Sequence, residues 1–171
     1  MSQPLHEPLE PLPALRISVL RWQGAPLPSE PPPPSFEFDP RGGCLGRDDS
    51  CELLLPDPQR HVSRLQARIE FDGQGFVLVD LGSNPTRVDG QALGRGRRLP
   101  LAGGEQLAIG DYELEVVALA SHGAAAVEQA LALRPDIVFL DIRMPGLTGV
   151  EAARQIAQLP PRPGHETDDG D

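Results

Sequence analysis

The sequence predicts a mainly β protein, a sandwich of short antiparallel strands, followed by a truncated α/β segment of helix, strand and helix. Two patterns lead to that reading. Between Leu15 and Val117, short apolar or alternating runs recur at roughly 8–12-residue spacing, separated by turn residues, and none has helical periodicity. After Val117 the pattern switches to strong helix formers over residues 123–133.

Leu15-Arg16-Ile17-Ser18-Val19-Leu20 begins with the period-two alternation of a half-buried strand. Residues 24–35, with Pro26, Pro28 and Pro31 to Pro34, read as an extended loop unable to donate to a ladder. Strands are then expected over residues 35–38, 43–46, 52–55, 67–71, 75–80, 87–89, 97–99, 106–109 and 112–117. Asp72-Gly73-Gln74-Gly75, Asp89-Gly90 and Gly110-Asp111 supply turns between them. Arg134-Pro135 stops the first helix. Residues 136–141, Asp-Ile-Val-Phe-Leu-Asp, form an apolar run between acids, as in a buried parallel strand. Thr148 can cap a second helix over residues 150–159, which ends before Pro160-Pro161. Four segments result: a Pro-rich, unfolded start (1–13), the β domain (14–118), the α/β piece (119–159) and an acidic, frayed tail (160–171).

Composition bounds the function. The chain has 171 residues and a net charge of −10, its 15 bases are all Arg, and each of the four segments is net negative. Binding to a nucleic-acid backbone needs clustered cations, so it is not expected, although a few Arg can still converge on an anion. Cys44 and Cys51 are the only cysteines, too few for a disulfide framework and without the neighbours of a metal site. The N-terminus lacks the basic and apolar regions of a signal peptide, and no apolar run reaches the roughly 20 residues that span a bilayer. A cytoplasmic protein without metal or cofactor is expected. No nucleophile, base and orienter can be assembled into an enzyme site, and no glycine-rich loop has nucleotide-binding spacing.

Four features of the β region occur in a telling order. Gly46-Arg47 follows a strand, and Leu53-Leu54-Leu55-Pro56-Asp57-Pro58 leads into His61-Val62-Ser63-Arg64. Asp80-Leu81-Gly82-Ser83-Asn84 comes next, and residues 101–110 precede the last strand. Residues 15–118 thereby resemble the forkhead-associated (FHA) domain, and the stretch Leu55 to Arg64 resembles the FHA proteins of bacterial type VI secretion systems. The resemblance implies an eleven-stranded sandwich that recognises phosphothreonine in a partner protein. A phosphoryl group of charge about −1.5 to −2 asks for a guanidinium, hydroxyl donors and loop N–H groups. By position, Arg47 would hold the phosphate, Ser63 would donate its hydroxyl and Arg64 would add a polar contact. Ser83 matches the Ser or Thr of the asparagine loop, and Asn84 would bond the peptide backbone. Two positions depart from the family. Gln66 stands where a His ring usually braces the loops, and Pro85 replaces the Gly after Asn84, altering the backbone there. Loss of phosphate dependence through those two changes would leave a phospho-independent scaffold.

Residues 113–159 resemble part of a two-component receiver, most specifically in Pro135-Asp136-Ile137-Val138-Phe139-Leu140-Asp141-Ile142-Arg143-Met144-Pro145-Gly146. By position Asp141 is the phospho-acceptor, which a histidine kinase would serve. The first strand with its Mg²⁺-binding acidic pair is missing, as are the Thr or Ser and the Lys that complete the site, so phosphoryl transfer lacks charge neutralisation. Residues 112–117 read both as the last sandwich strand and as the receiver's second strand, and the sandwich, with its full set of neighbours, is expected to take them.

Overall fold

The computed structural model describes residues 12–119, 123–133, 138, 140 and 147–158. The chain divides into two compact units, Met1–Leu119 and Ala120–Asp171.

In chain order the strands of the first unit are β1 (Ala14–Trp22), β2 (Ala25–Pro26), β3 (Ser35–Phe38), β4 (Gly43–Gly46), β5 (Leu53–Leu54) and β6 (Ala67–Phe71). They continue with β7 (Phe76–Asp80), β8 (Arg87–Val88), β9 (Gln91–Ala92), β10 (Arg98–Leu101), β11 (Gln106–Ile109) and β12 (Tyr112–Leu119). One sheet has seven strands, in the order β2-β1-β12-β11-β8-β9 with β3 also paired to β1, and the other has five, β10-β7-β6-β4-β5. All pairings are antiparallel except β4 with β5.

The two sheets share one apolar core. Leu15, Ile17 and Val19 of β1 point inward on every second position, as their alternation requires. They join Leu107, Ile109, Leu114 and Val116 of the same sheet and Leu45, Ile69, Leu78 and Leu101 of the other. Every residue of β7 is buried, which is why its sequence is nearly continuously apolar. The strand shared by the two resemblances, β12, pairs with β1 along one edge and β11 along the other, so it belongs to the sandwich.

Two short strands depart from the sequence reading. Ala25 and Pro26 pair with Trp22 and Arg21 inside the stretch read as a loop; Pro26 donates nothing, but the Leu27 N–H donates to the Leu20 carbonyl at 3.2 Å and holds the segment to the edge. Gln91–Ala92 returns on β8 after the Asp89-Gly90 turn, so the described residues of this unit form twelve strands where the resemblance implied eleven.

In the second unit, α1 (Gly123–Leu133) packs against α2 (Gly149–Ala157), with Ala126, Ala130 and Ala152 buried. Thr148 caps α2 as its sequence implied. Its Oγ1 accepts from the Glu151 N–H at 3.3 Å, while a Glu151 carboxylate oxygen accepts from the Thr148 N–H at 3.0 Å. The helix ends at the cap residue Gln158, slightly earlier than expected. The expected strand at 136–141, and with it Asp141, lies outside the described residues. Among the described residues, no helix is long and apolar enough to cross a membrane.

Candidate functional site

Arg47, Ser63, Arg64, Ser83 and Asn84 lie on three neighbouring loops of the sandwich: the turn between β4 and β5, the segment between β5 and β6, and the segment between β7 and β8. Backbone hydrogen bonds fasten the first two together. The Arg47 N–H donates to the Ser63 carbonyl at 3.0 Å, the Asp48 N–H to that of Arg64 at 3.1 Å, and the Gln66 N–H to that of Leu45 at 2.9 Å. Only glycine permits this approach at residue 46, since a Cβ there would lie 2.1 Å from the Arg64 carbonyl oxygen.

The side chains complete the union. Arg47 Nε donates to the Val62 carbonyl at 3.2 Å, which fixes the guanidinium while its two Nη groups keep their donors. Ser63 Oγ accepts from the Ser83 N–H at 2.9 Å, so its own proton is left for another acceptor. Asn84 Nδ2 donates to the His61 carbonyl at 3.0 Å, tying the third loop to the second. Among the described residues, neither Arg47 nor Arg64 forms an ion pair, and Arg64 is exposed. Two guanidinium groups, two hydroxyls and a primary amide thus stand on fastened loops, a donor set suited to a phosphoryl group.

Gln66 performs the bracing that its position had put in question. It is buried, and its Oε1 accepts from the Ser63 N–H at 3.0 Å. Its Nε2 donates to the Asn84 carbonyl at 2.9 Å and to Thr86 Oγ1 at 3.1 Å. One planar amide therefore reaches the second and third loops together. Pro85 is accommodated as well: neither Asn84 nor Pro85 takes a positive φ, so the backbone here does not call for glycine. Gln66→Ala removes all three bonds and should cost about 2–4 kcal/mol of stability, read from denaturant midpoints.

Two acids that hold the loops were not singled out from sequence. Asp80 is fully buried at the end of β7. One of its oxygens accepts from the Gly82 N–H at 3.2 Å and from Thr86 Oγ1 at 3.1 Å; the other accepts from the N–H groups of Thr86 at 2.9 Å and Gly94 at 3.0 Å. Asp57 stands at the head of the second loop, where its carboxylate accepts from the N–H groups of Gln59 at 3.0 Å and Val62 at 2.7 Å. The pattern Asp-Pro-Gln was the available signal, since Asp side chains commonly cap the backbone two residues on. Tyr112 anchors the same loop by donating its hydroxyl to the Pro56 carbonyl.

Electrostatics around the loops follow from these bonds. Burial alone would raise the Asp57 carboxyl, but the amides of Val62, Gln59 and His61 and the His61 ring outweigh it, leaving the group below its ordinary value of 3.8. The native group binds its proton less tightly than the unfolded one. Its contribution to stability is therefore complete above 3.8 and is lost as the pH falls from there through the lowered native value. Asp57→Asn should accordingly lower the urea midpoint at neutral pH, and the difference from wild type should shrink as the pH falls below 3.8. Asp48, beside Arg47, is also held low, first by the Ser50 hydroxyl and amide and then by the charge of Arg64.

Next to Asn84 a shallow cavity of about 280 Å³ is lined by His61, Pro85, Arg87 and Asp111 among others. His61 Nδ1 lies 3.9 Å from an Asp111 carboxylate oxygen. No buried side-chain nitrogen or oxygen among the described residues lacks a hydrogen-bond partner.

Comparison with known proteins agrees with this architecture. Residues 43–110 match the FHA domain family, and residues 102–164 match the response regulator receiver domain family. An FHA domain of an Arabidopsis thaliana hypothetical protein has the same fold, with a TM-score of 0.53 at 26% identity over 64% of this chain and 88% of that one. An FHA domain from Chlamydia trachomatis superposes with a TM-score of 0.50 at 20% identity, covering 63% of this chain and 99% of that one. A further FHA structure, from a study of phosphothreonine-dependent FHA domain interactions, has a TM-score of 0.50 at 22% identity over 63% of this chain and 98% of that one. In the receiver region the chain resembles protein-glutamate methylesterase/protein-glutamine glutaminases. It is 45% identical over 53 residues to one from Pseudomonas aeruginosa and 49% identical over 53 residues to one from Geobacter metallireducens. Those stretches are 31% and 30% of this chain but only 14% and 15% of the relatives, so the chain spans a small part of their length.

Proposed function

From an FHA domain joined to part of a receiver domain, we propose that this chain is a non-enzymatic binding module that recognises phosphothreonine in a partner protein during bacterial signalling. The observation that carries the reading is the bonded union of the three loops, with Arg47 fixed by one nitrogen and Ser63 left with its proton. Gln66 supports it further: by joining Ser63 to Asn84 it removes one ground for a phosphate-independent scaffold. A cytoplasmic location and a role in type VI secretion belong to the same proposal; the latter rests on the stretch from Leu55 to Arg64.

Fluorescence-polarisation titration with degenerate peptide pools tests the reading. Saturable binding of a phosphothreonine pool, with little binding of phosphoserine or unmodified pools, is expected. Equal binding of all three would replace it with the scaffold.

A second reading, acceptance of phosphate at Asp141 from a histidine kinase, draws on the receiver match over residues 102–164. The strand such a receiver would use second is here β12, hydrogen-bonded along both edges within the sandwich, which favours the binding module.

A further inference from the structure

Cys44 and Cys51 bracket the turn that carries Arg47. Cys44 lies on β4 and Cys51 just ahead of β5, and these strands run parallel with Leu45 opposite Leu53 and Gly46 opposite Leu54. The register brings Cys44 beside Glu52, whose carboxylate accepts from the Cys44 N–H at 2.7 Å. The Cys51 N–H donates to the Asp48 carbonyl at 3.1 Å, and its thiol to the Arg64 carbonyl at 3.5 Å. The same register sets Cys44 one residue out of step with Cys51 across the β4–β5 pair, and the two cysteines are unbridged.

Access to the two sulfurs differs. Cys51 is 7% exposed. Cys44 is half-buried and lines a surface groove of about 560 Å³ together with Arg41, Arg68, Glu52 and Leu65. Arg68 has no ion pair among the described residues, so it is available to a carboxylate-bearing molecule in the groove. A small reagent meets Cys44 first.

The geometry points to a reversible disulfide between Cys44 and Cys51 that closes the Arg47 turn into a covalent ring, formed at the expense of a small-molecule disulfide of the glutathione class. Cys44 loses its proton to solvent and attacks one sulfur of the small disulfide. That sulfur–sulfur bond breaks, and the first small thiolate leaves and takes up a proton. Cys51 then attacks the Cys44 sulfur of the mixed disulfide, its proton passing to the second departing thiolate. The two protein thiols are oxidised and one small disulfide is reduced to two thiols. Burial, and then the neighbouring Cys44, pushes the Cys51 thiol up to about 12, in keeping with Cys51 acting second. The ring replaces the Cys51 bond to Arg64 and restricts residues 47–50. It forms whether or not Arg47 holds a phosphate.

The full chain, incubated with oxidised glutathione under native conditions, should lose two hydrogens in intact mass, remain a monomer and resist alkylation until dithiothreitol is added. Amide exchange over residues 47–50 should slow in the oxidised form. Cys51→Ser should keep one glutathione on Cys44, and Cys44→Ser should stay reduced. Wild-type protein that stops at a mixed disulfide or links into dimers would overturn the proposal. So would equally ready oxidation of Cys44→Ser, or unchanged exchange over residues 47–50. The wild-type measurements decide the matter even if a variant fails to fold.

Discussion

Arg47→Ala should weaken binding of a phosphothreonine peptide by about 10²–10⁴-fold, because two charge-assisted hydrogen bonds at roughly 1.5–3 kcal/mol each are removed together. The fold should survive. The guanidinium makes one hydrogen bond within the domain, Nε to the Val62 carbonyl, while the backbone N–H of residue 47 keeps its bond to Ser63. A thermal midpoint close to wild type, measured on the same preparation, would separate loss of the phosphate contact from loss of structure. Arg47→Lys should restore charge but not the fork, and recover only part of the affinity. Undiminished binding by Arg47→Ala would remove this residue from the site.

The second large effect falls on stability. Asp80→Ala should destabilise the domain by about 4 kcal/mol or more, since it strands three N–H groups and the Thr86 hydroxyl in and around a buried position. For a sandwich of this size that is a drop of about 15–30 °C in thermal midpoint. Peptide binding should fail with it, because the loop carrying Ser83 and Asn84 is folded around this carboxylate. Asp80→Asn keeps the shape but presents an NH₂ group where a donor must be accepted, and should fall between the two. Differential scanning calorimetry distinguishes them. A midpoint for Asp80→Ala within a few degrees of wild type would show that the loop does not depend on this residue.

The core strands were legible because burial leaves a period. Leu15, Ile17 and Val19 alternate, β7 is apolar up to Asp80, and Asp72-Gly73-Gln74-Gly75 turns between two such runs. Strands β2 and β9 were not legible: both are exposed throughout, so burial leaves no apolar signal, and Pro26 reads as a breaker wherever it stands.

Within the candidate site, Arg47, Ser63, Arg64, Ser83 and Asn84 were legible as motif positions, and the structure places them on adjoining loops. The residues that hold those loops were not. Asp57 and Asp80 act by accepting backbone N–H groups, and which groups converge on a carboxylate depends on loop geometry that spacing does not encode. Gln66 shows the opposite difficulty. Compared with a family pattern it reads as a loss, whereas its amide oxygen and nitrogen join Ser63 to Asn84 and Thr86.

Amide chemical-shift mapping of the ¹⁵N-labelled full chain, titrated with a phosphothreonine peptide pool, tests the phosphate-reading role most directly. Saturable shifts concentrated at Arg47, Ser63, Arg64, Ser83 and Asn84, absent after phosphatase treatment of the pool, are the expected result. Shifts that persist after that treatment, or that fall away from the three loops, would contradict it.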